Sequence, residues 1–330
     1  MSAWRPTGVD LFSFLGAAWP RYVGGFDVVA NLVAYMPLGI LAVAAAPLRV
    51  SRAVAVLIAI IFGTLLSIGL EAFQTFLPAR VPSNLDVALN AAGTAIGAIG
   101  YALARGDRST VFTALRMKWF RPGKSTDLGL VMLALWLFTQ LNPETLLFGT
   151  GDLRDLLEAV PHQVLPASVF VRFEALIAAS NLFAVGLLAG ALVDAQRPAW
   201  LVLAILIAIA LMIRTLAFGV LTQPNDMTAW LTQGAQLGLT AGAALAIAGN
   251  WLPRGIRLAA AGVFTMVATV AVNLAPGNPY LASSLGTWRQ GHFLNFNGLT
   301  GMVSALWPFA ALAYLLFQAG RAPNRRKRRP

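Results

Sequence analysis

Long apolar runs, broken by short polar or basic stretches, repeat along the whole chain. Nine of them are long enough to be read as membrane-spanning helices: 27–46, 52–77, 84–104, 127–147, 169–193, 198–220, 228–249, 255–275 and 302–319. At 1.5 Å per residue each covers a hydrocarbon core of about 30 Å. The runs do not alternate residue by residue, so they read as helices rather than strands. The expected fold is all-α, a polytopic helical membrane protein. Residues 9–19, VDLFSFLGAAW, are apolar but short. They are expected to form an interfacial helix lying on the membrane, with a reduced, tilted or re-entrant first span as the other reading.

Polar residues in the first three runs gather at one end of each. Asp27 and Asn31 open the first, Ser67, Glu71 and Gln74 close the second, and Asp86 and Asn90 open the third. Steps of three and four put these side chains on one helix face. An up-down-up arrangement then brings all of them to one membrane surface, beside Arg80 in the loop PARVPSN. Carboxylates within a span are costly and by default mark a functional site. The candidate ligand-binding set is therefore Asp27, Asn31, Glu71, Gln74, Arg80, Asp86 and Asn90. Glu71 and Asp86 are the catalytic pair if the protein is an enzyme. Asp, Asn, Glu and Gln groups can also serve simply as hydrogen-bonded bridges between helices, worth about 1 kcal/mol each; that reading stands level with ligand contact for Asn31, Gln74 and Asn90, whereas Glu71, Asp86 and Arg80, being ionisable, point to function.

Charge placement sets the expected topology. Seventeen of the 24 basic residues fall in five places: after the first, third, fifth, seventh and ninth runs. Basic loops stay cytoplasmic. The tail after the ninth run is then cytoplasmic, the amino terminus outside, and the polar end of the first three helices outside, in a bacterial cytoplasmic membrane. The organisation expected is an external interfacial segment 1–26, a three-helix membrane domain 27–104, a basic cytoplasmic linker 105–126, a second membrane half 127–319 and a basic tail 320–330. The formal net charge of +11 would point to nucleic acid in a soluble protein. With 58% hydrophobic and 11% charged residues it is explained by those loops, and no nucleic-acid partner is expected. Membrane lipids are. No cofactor is expected: the chain has no cysteine and only His162 and His292, too few for a multi-histidine metal centre.

Smaller features complete the pattern. Gly39, with Gly93 and Gly97 in a small-xxx-small step, is expected to let helices approach closely. Pro37 interrupts the first run. The second half echoes the first: residues 180–192 resemble 30–41, and 222–238 resemble 81–97, with Gly234 and Gly238 in step with Gly93 and Gly97. In that register Met212 and Met227 stand where Glu71 and Asp86 do, so a two-half duplication would have lost its acids. Glu174, Arg172 and Arg214 read as an internal pair or as interfacial groups. Residues 148–168 read as an external polar stretch, and the aromatics of 280–301 as interfacial anchors.

Taken together, Asp27-x-x-x-Asn31 with Pro37-Leu38-Gly39, Ser67-x-x-x-Glu71-x-x-Gln74, Pro78 with Arg80, and Asp86-x-x-x-Asn90-x-x-Gly93-x-x-x-Gly97 resemble the VanZ family, over residues 26 to about 104. Members usually carry a further span ahead of the Asp-Asn helix, where only residues 9–19 stand here. The family is named for a protein linked to teicoplanin resistance. The resemblance implies a small membrane domain with a cell-envelope role, including glycopeptide resistance, rather than a particular reaction. Three functions remain open: binding of a lipid-linked envelope precursor or glycopeptide, carboxylate acid/base catalysis on an envelope substrate, and transport of a small molecule or lipid. Oligomeric state is not legible.

Overall fold

A computed structural model describes residues 10–21, 23, 25–47, 49–76, 82–104, 108–154, 166–221, 227–276 and 294–320, with the side chains of some helical residues, Asp27 among them, outside the description. Among the described residues the regular structure is helical, apart from an isolated antiparallel bridge between Phe120 and Val193. The helices are α1 (Gly25–Ala45), α2 (Arg52–Gln74), α3 (Asn84–Ala104), α4 (Arg108–Trp119), α5 (Lys124–Thr139), α6 (Ala167–Leu192), α7 (Ala199–Leu221), α8 (Gln233–Gly249), α9 (Arg254–Leu274) and α10 (Leu294–Gly320). Five of these, α2, α6, α7, α9 and α10, hold windows long and apolar enough to cross a bilayer. The protein is a multi-pass helical membrane protein, and the count of nine spans is not established by these helices. The chain falls into two compact units, residues 1–115 and 116–330.

The 1–115 unit is a three-helix set built on close approach. A Cβ on Gly93 would overlap the carbonyl of Leu32, one on Gly97 that of Met36, and one on Gly39 that of Thr94. Three positions without side chains thus let α1 and α3 meet backbone to backbone. α2 lies against both, and Gly63 gives room for the Thr94 side chain. The core is correspondingly small: Val43, Ala55, Ala59 and Ala98. The other side of α2 exposes Leu57, Ile58, Ile61, Phe62 and Leu65, which suits hydrocarbon rather than water. The start of α2 is capped by Ser51, whose hydroxyl accepts from Val54 N–H at 3.3 Å.

Before α1 the expected interfacial helix is replaced by a single 3-10 turn, Ser13–Gly16. Four residues rise only about 8 Å, far short of a hydrocarbon core of about 30 Å. Phe14 instead inserts against Ala72 and Val87, and Asn84 Nδ2 donates to the Ala17 carbonyl at 2.6 Å. Leu11, Phe12, Leu15 and Trp19 stay exposed.

The 116–330 unit is organised around α6. Of its span window 83% is buried, against 33% for α7 and α9, and α5, α7, α8 and α9 all pack against it. Its strongest neighbour is α8, by the same device as in the first unit: Gly234, Gly238 and Gly242 would meet the carbonyls of Val171, Ala175 and Ala179 if they carried a Cβ. The repeated motif is therefore a glycine-faced helix on a carbonyl row. The register of the sequence echo differs, however. Leu182 stands opposite Leu32 in that echo, but the residue under Gly234 is Val171, about three turns earlier. Apolar helices match one another easily in sequence, and the glycine contacts decide which residues correspond.

The expected span 127–147 is helical only to Thr139, and 140–154 is irregular backbone. Of the external polar stretch expected at 148–168, residues 155–165 lie outside the described residues, and the part at 148–154 is packed into the protein: Phe148 is fully buried and Thr150 is 1% exposed. Phe148 takes φ 59 and Gly151 φ 83, both left-handed. Buried irregular backbone needs partners from the protein. Asn273 supplies two, donating to the Gly151 carbonyl at 2.7 Å and accepting from Leu153 N–H at 2.9 Å. Ser304 carbonyl accepts from Gly151 N–H at 2.9 Å. Trp136 Nε1 donates to Asn181 Oδ1 at 2.8 Å, and Asn181 Nδ2 to Thr150 Oγ1 at 2.9 Å.

Replacing Gly97 with leucine drives a side chain into the α1 backbone and is expected to destabilise the first unit by at least the usual overpacking cost of about 1–3 kcal/mol. Gly100→Ala, where a Cβ meets nothing, is expected to leave stability unchanged or slightly raised. Thermal unfolding in detergent micelles compares the two.

Candidate functional site

The polar ends of α1, α2 and α3 meet around the first turns of α3. Asn31 Nδ2 donates to Asp86 Oδ1 at 3.0 Å, joining α1 to α3. Asn90 Nδ2 donates to Ser67 Oγ at 2.9 Å, joining α3 to α2. Tyr35 of α1 lies within interaction range of the same Ser67. Ser67 thus stands where the three helices meet.

Glu71 is the most demanding group of the set. It is only 3% exposed, inside a helix apolar enough to span a membrane. It also sits in the last turn of α2, where the helix dipole disfavours a carboxylate. Part of the compensation comes from the start of α3, where Ser83 N–H donates to Glu71 Oε2 at 3.1 Å. Ser83 in turn receives Asp86 N–H on its hydroxyl at 3.4 Å, an N-cap arrangement. Asp86 itself lies in the first turn of α3, the end where a negative charge is favoured. Ser83 therefore serves both residues, its amide reaching the Glu71 carboxylate and its hydroxyl the backbone N–H of Asp86. Within this buried set Asn90 Oδ1 has no hydrogen-bond partner among the described residues.

Of the residues expected from the sequence, Asn31, Glu71, Asp86 and Asn90 are brought together. Gln74 lies one turn beyond Glu71 at the end of α2, half-buried and with partners of its own. Asp27 is placed only as a member of α1, and Arg80 lies outside the described residues. Asn31 and the Asn90 amide nitrogen make interhelical bonds, so at least this part of the set does bridge helices.

With this geometry the comparisons are direct. Residues 4–105 match the VanZ/LLP1 family model. The VanZ-like segment begins ahead of α1, so the 3-10 turn that seats Phe14 belongs to it, and it ends at α3. No curated protein and no solved structure matches the chain.

Two members of the VanZ-like cluster were missed in the sequence. Tyr35 looks like one aromatic among many, yet it stands four residues after Asn31 on the same face, which was the available signal. Ser83 looks like a loop serine, and its role follows from capping chemistry only once Asp86 is known to open a helix.

The second unit holds ionisable groups too, and their pairing differs from expectation. Glu174 and Arg214 are both buried, at 2% and 1% exposure, but each has its own partners. Thr232 Oγ1 donates to Glu174 Oε2 at 2.5 Å. Arg214 donates to the carbonyls of Asn142 and Thr145 and lies over the Phe218 ring at 5.0 Å. The guanidinium thereby supports the irregular stretch after α5, with Glu174 within electrostatic rather than contact range. Arg172 is exposed, and His162 and His292 lie outside the described residues, as do most of 280–301.

Removing the Asn31–Asp86 bond is expected to cost about 1 kcal/mol, the usual value for a polar bridge between membrane helices. A double-mutant cycle with Asn31→Ala and Asp86→Ala, read by unfolding in mixed micelles, measures it. A coupling near zero would show that the two side chains do not meet in the bilayer.

Proposed function

We propose that the VanZ-like unit binds the polar part of a cell-envelope component at the outer face of a bacterial cytoplasmic membrane. The observation that carries this reading is Glu71: a buried carboxylate on a membrane-spanning helix, bonded by the Ser83 amide that opens the Asp86 turn, one turn from Ser67, whose partner Asn90 has an oxygen without a partner among the described residues. Carboxylate and amide oxygens are acceptors, so the fitting ligand group is a donor: an amide, ammonium or hydroxyl, as a lipid-linked precursor peptide, a sugar or a glycopeptide carries. Arg80, adjacent in sequence to the α2 end, would take the phosphate or carboxylate of the same ligand, where a guanidinium gives two parallel bonds. The outward placement rests on the distribution of basic loops. The positioning bonds from Asn31 and Ser67 favour a preformed site over one assembled on binding.

Acid/base catalysis by Glu71 and Asp86 is the second reading, favoured by the burial of Glu71, which would shield a proton transfer from bulk water. A glycopeptide-resistance role follows only if the ligand is a glycopeptide or its target.

Arg80→Ala is expected to weaken ligand capture by purified protein in nanodiscs at least about tenfold, the loss of roughly 1.4 kcal/mol, with lipid-linked precursor and glycopeptide as separate probes. Glu71→Gln separates the readings. Binding retained with turnover of the probe abolished indicates catalysis, whereas no turnover by the unaltered protein indicates a binding role. Reporter fusions after Arg80 and after Lys118 are expected to be active outside and inside respectively, and the reverse pattern would remove the outward site.

A further inference from the structure

The irregular stretch after α5 leaves a small polar cavity in the 116–330 unit. It measures about 40 Å³ and is lined by Glu144, Thr145, Asp152 and Arg154, with Phe170 of α6 and Val272 of α9 closing its apolar side. Asp152 and Arg154 form a two-pronged ion pair, at 2.9 and 2.6 Å, and Arg154 Nη1 also donates to the Ala275 carbonyl at 2.8 Å. One turn further along α6, on the same α6–α9 seam, lies an open groove of about 400 Å³. Phe173 and Leu176 form one wall and Val263, Met266, Val270 and Leu274 the other. Ala271, 4% exposed, lies between them. From Val263 to Leu274 the groove follows about 16 Å of helix, and its volume is that of a small-molecule site.

We infer that this seam holds one phospholipid, its acyl chain in the α6–α9 groove and its headgroup, bearing both a phosphate and a primary amine, at the cavity. The chemistry selects that class. The described lining carries two carboxylates and one guanidinium, so the inner position favours a cation with protons to donate. The cavity has space for only a few water-sized groups, which admits a primary ammonium and excludes a sugar or a trimethylammonium. Arg154, with its side chain 24% exposed, is the described cation lining the cavity that can meet the phosphate. An apolar groove alone would accept any acyl chain. The charged cavity at its end is what makes the site selective, and that cavity exists because α5 stops at Thr139. The site lies in a different unit from the VanZ-like cluster and does not depend on the function proposed for it.

Full-length protein is purified, exchanged into defined lipid, and examined by native mass spectrometry with phosphatidylethanolamine, phosphatidylcholine and phosphatidylglycerol as competing probes. The expected result is one retained phosphatidylethanolamine per chain, preferred over the other two by about tenfold or more. Val270→Trp, filling the groove from an exposed position, is expected to lower retention of every lipid. Glu144→Gln is expected to keep retention but reduce the preference for the primary amine. Leu128→Trp, on an exposed face elsewhere, is expected to change neither. Unchanged melting temperatures confirm folding of each variant. Equal retention of the three lipids, a preference for phosphatidylglycerol, or retention unaffected by Val270→Trp in folded protein would each overturn the inference.

Discussion

The first unit depends on backbone meeting backbone between α1 and α3. A polar side chain in a membrane helix reaches only a few ångströms, so Asn31 can bond Asp86 only if the two helix axes are unusually close. Gly39, Gly93 and Gly97 create that closeness by offering no Cβ. In a bilayer little hydrophobic force holds helices together, so shape fit and a few polar bonds carry the association. The glycines supply the fit and Asn31, Ser67 and Asn90 the bonds. Glu71 is then tolerated in a buried position because the start of α3 arrives near enough to give it an amide proton. The order of dependence runs from glycine spacing, to helix approach, to the polar bonds, to the buried acid.

Much of this was legible from spacing alone. Helical steps joined Asp86 to Asn90 and Glu71 to Gln74, and the glycine pair marked the face of α3. What the spacing could not reveal was which polar group answers which. Asn31 to Asp86 and Asn90 to Ser67 are contacts between helices, and helical periodicity carries no information about partners on another helix. Ser83 and Tyr35 escaped for related reasons: one acts by capping and the other is a single aromatic hydroxyl one turn beyond Asn31.

The second unit shows a different limit. Residues 127–147 read as a span by length and apolar content, yet the helix stops at Thr139. Hydropathy measures the preference of side chains and says nothing about backbone path. Asn273, Ser304 and Arg214, all distant in sequence, satisfy the amides and carbonyls that leave the helix. The polar residues of those distant helices were visible one by one. Their common purpose is visible only when the irregular segment is placed among them.

The bond between Asn90 and Ser67 in the VanZ-like cluster has one more implication. An amide carries its donor and its acceptor on opposite arms. With Asn90 Nδ2 committed to Ser67 Oγ, the oxygen is turned the other way, and it is the atom without a partner among the described residues. Turning the amide over would put a donor in that place, so a single side-chain torsion decides which polarity the buried spot presents.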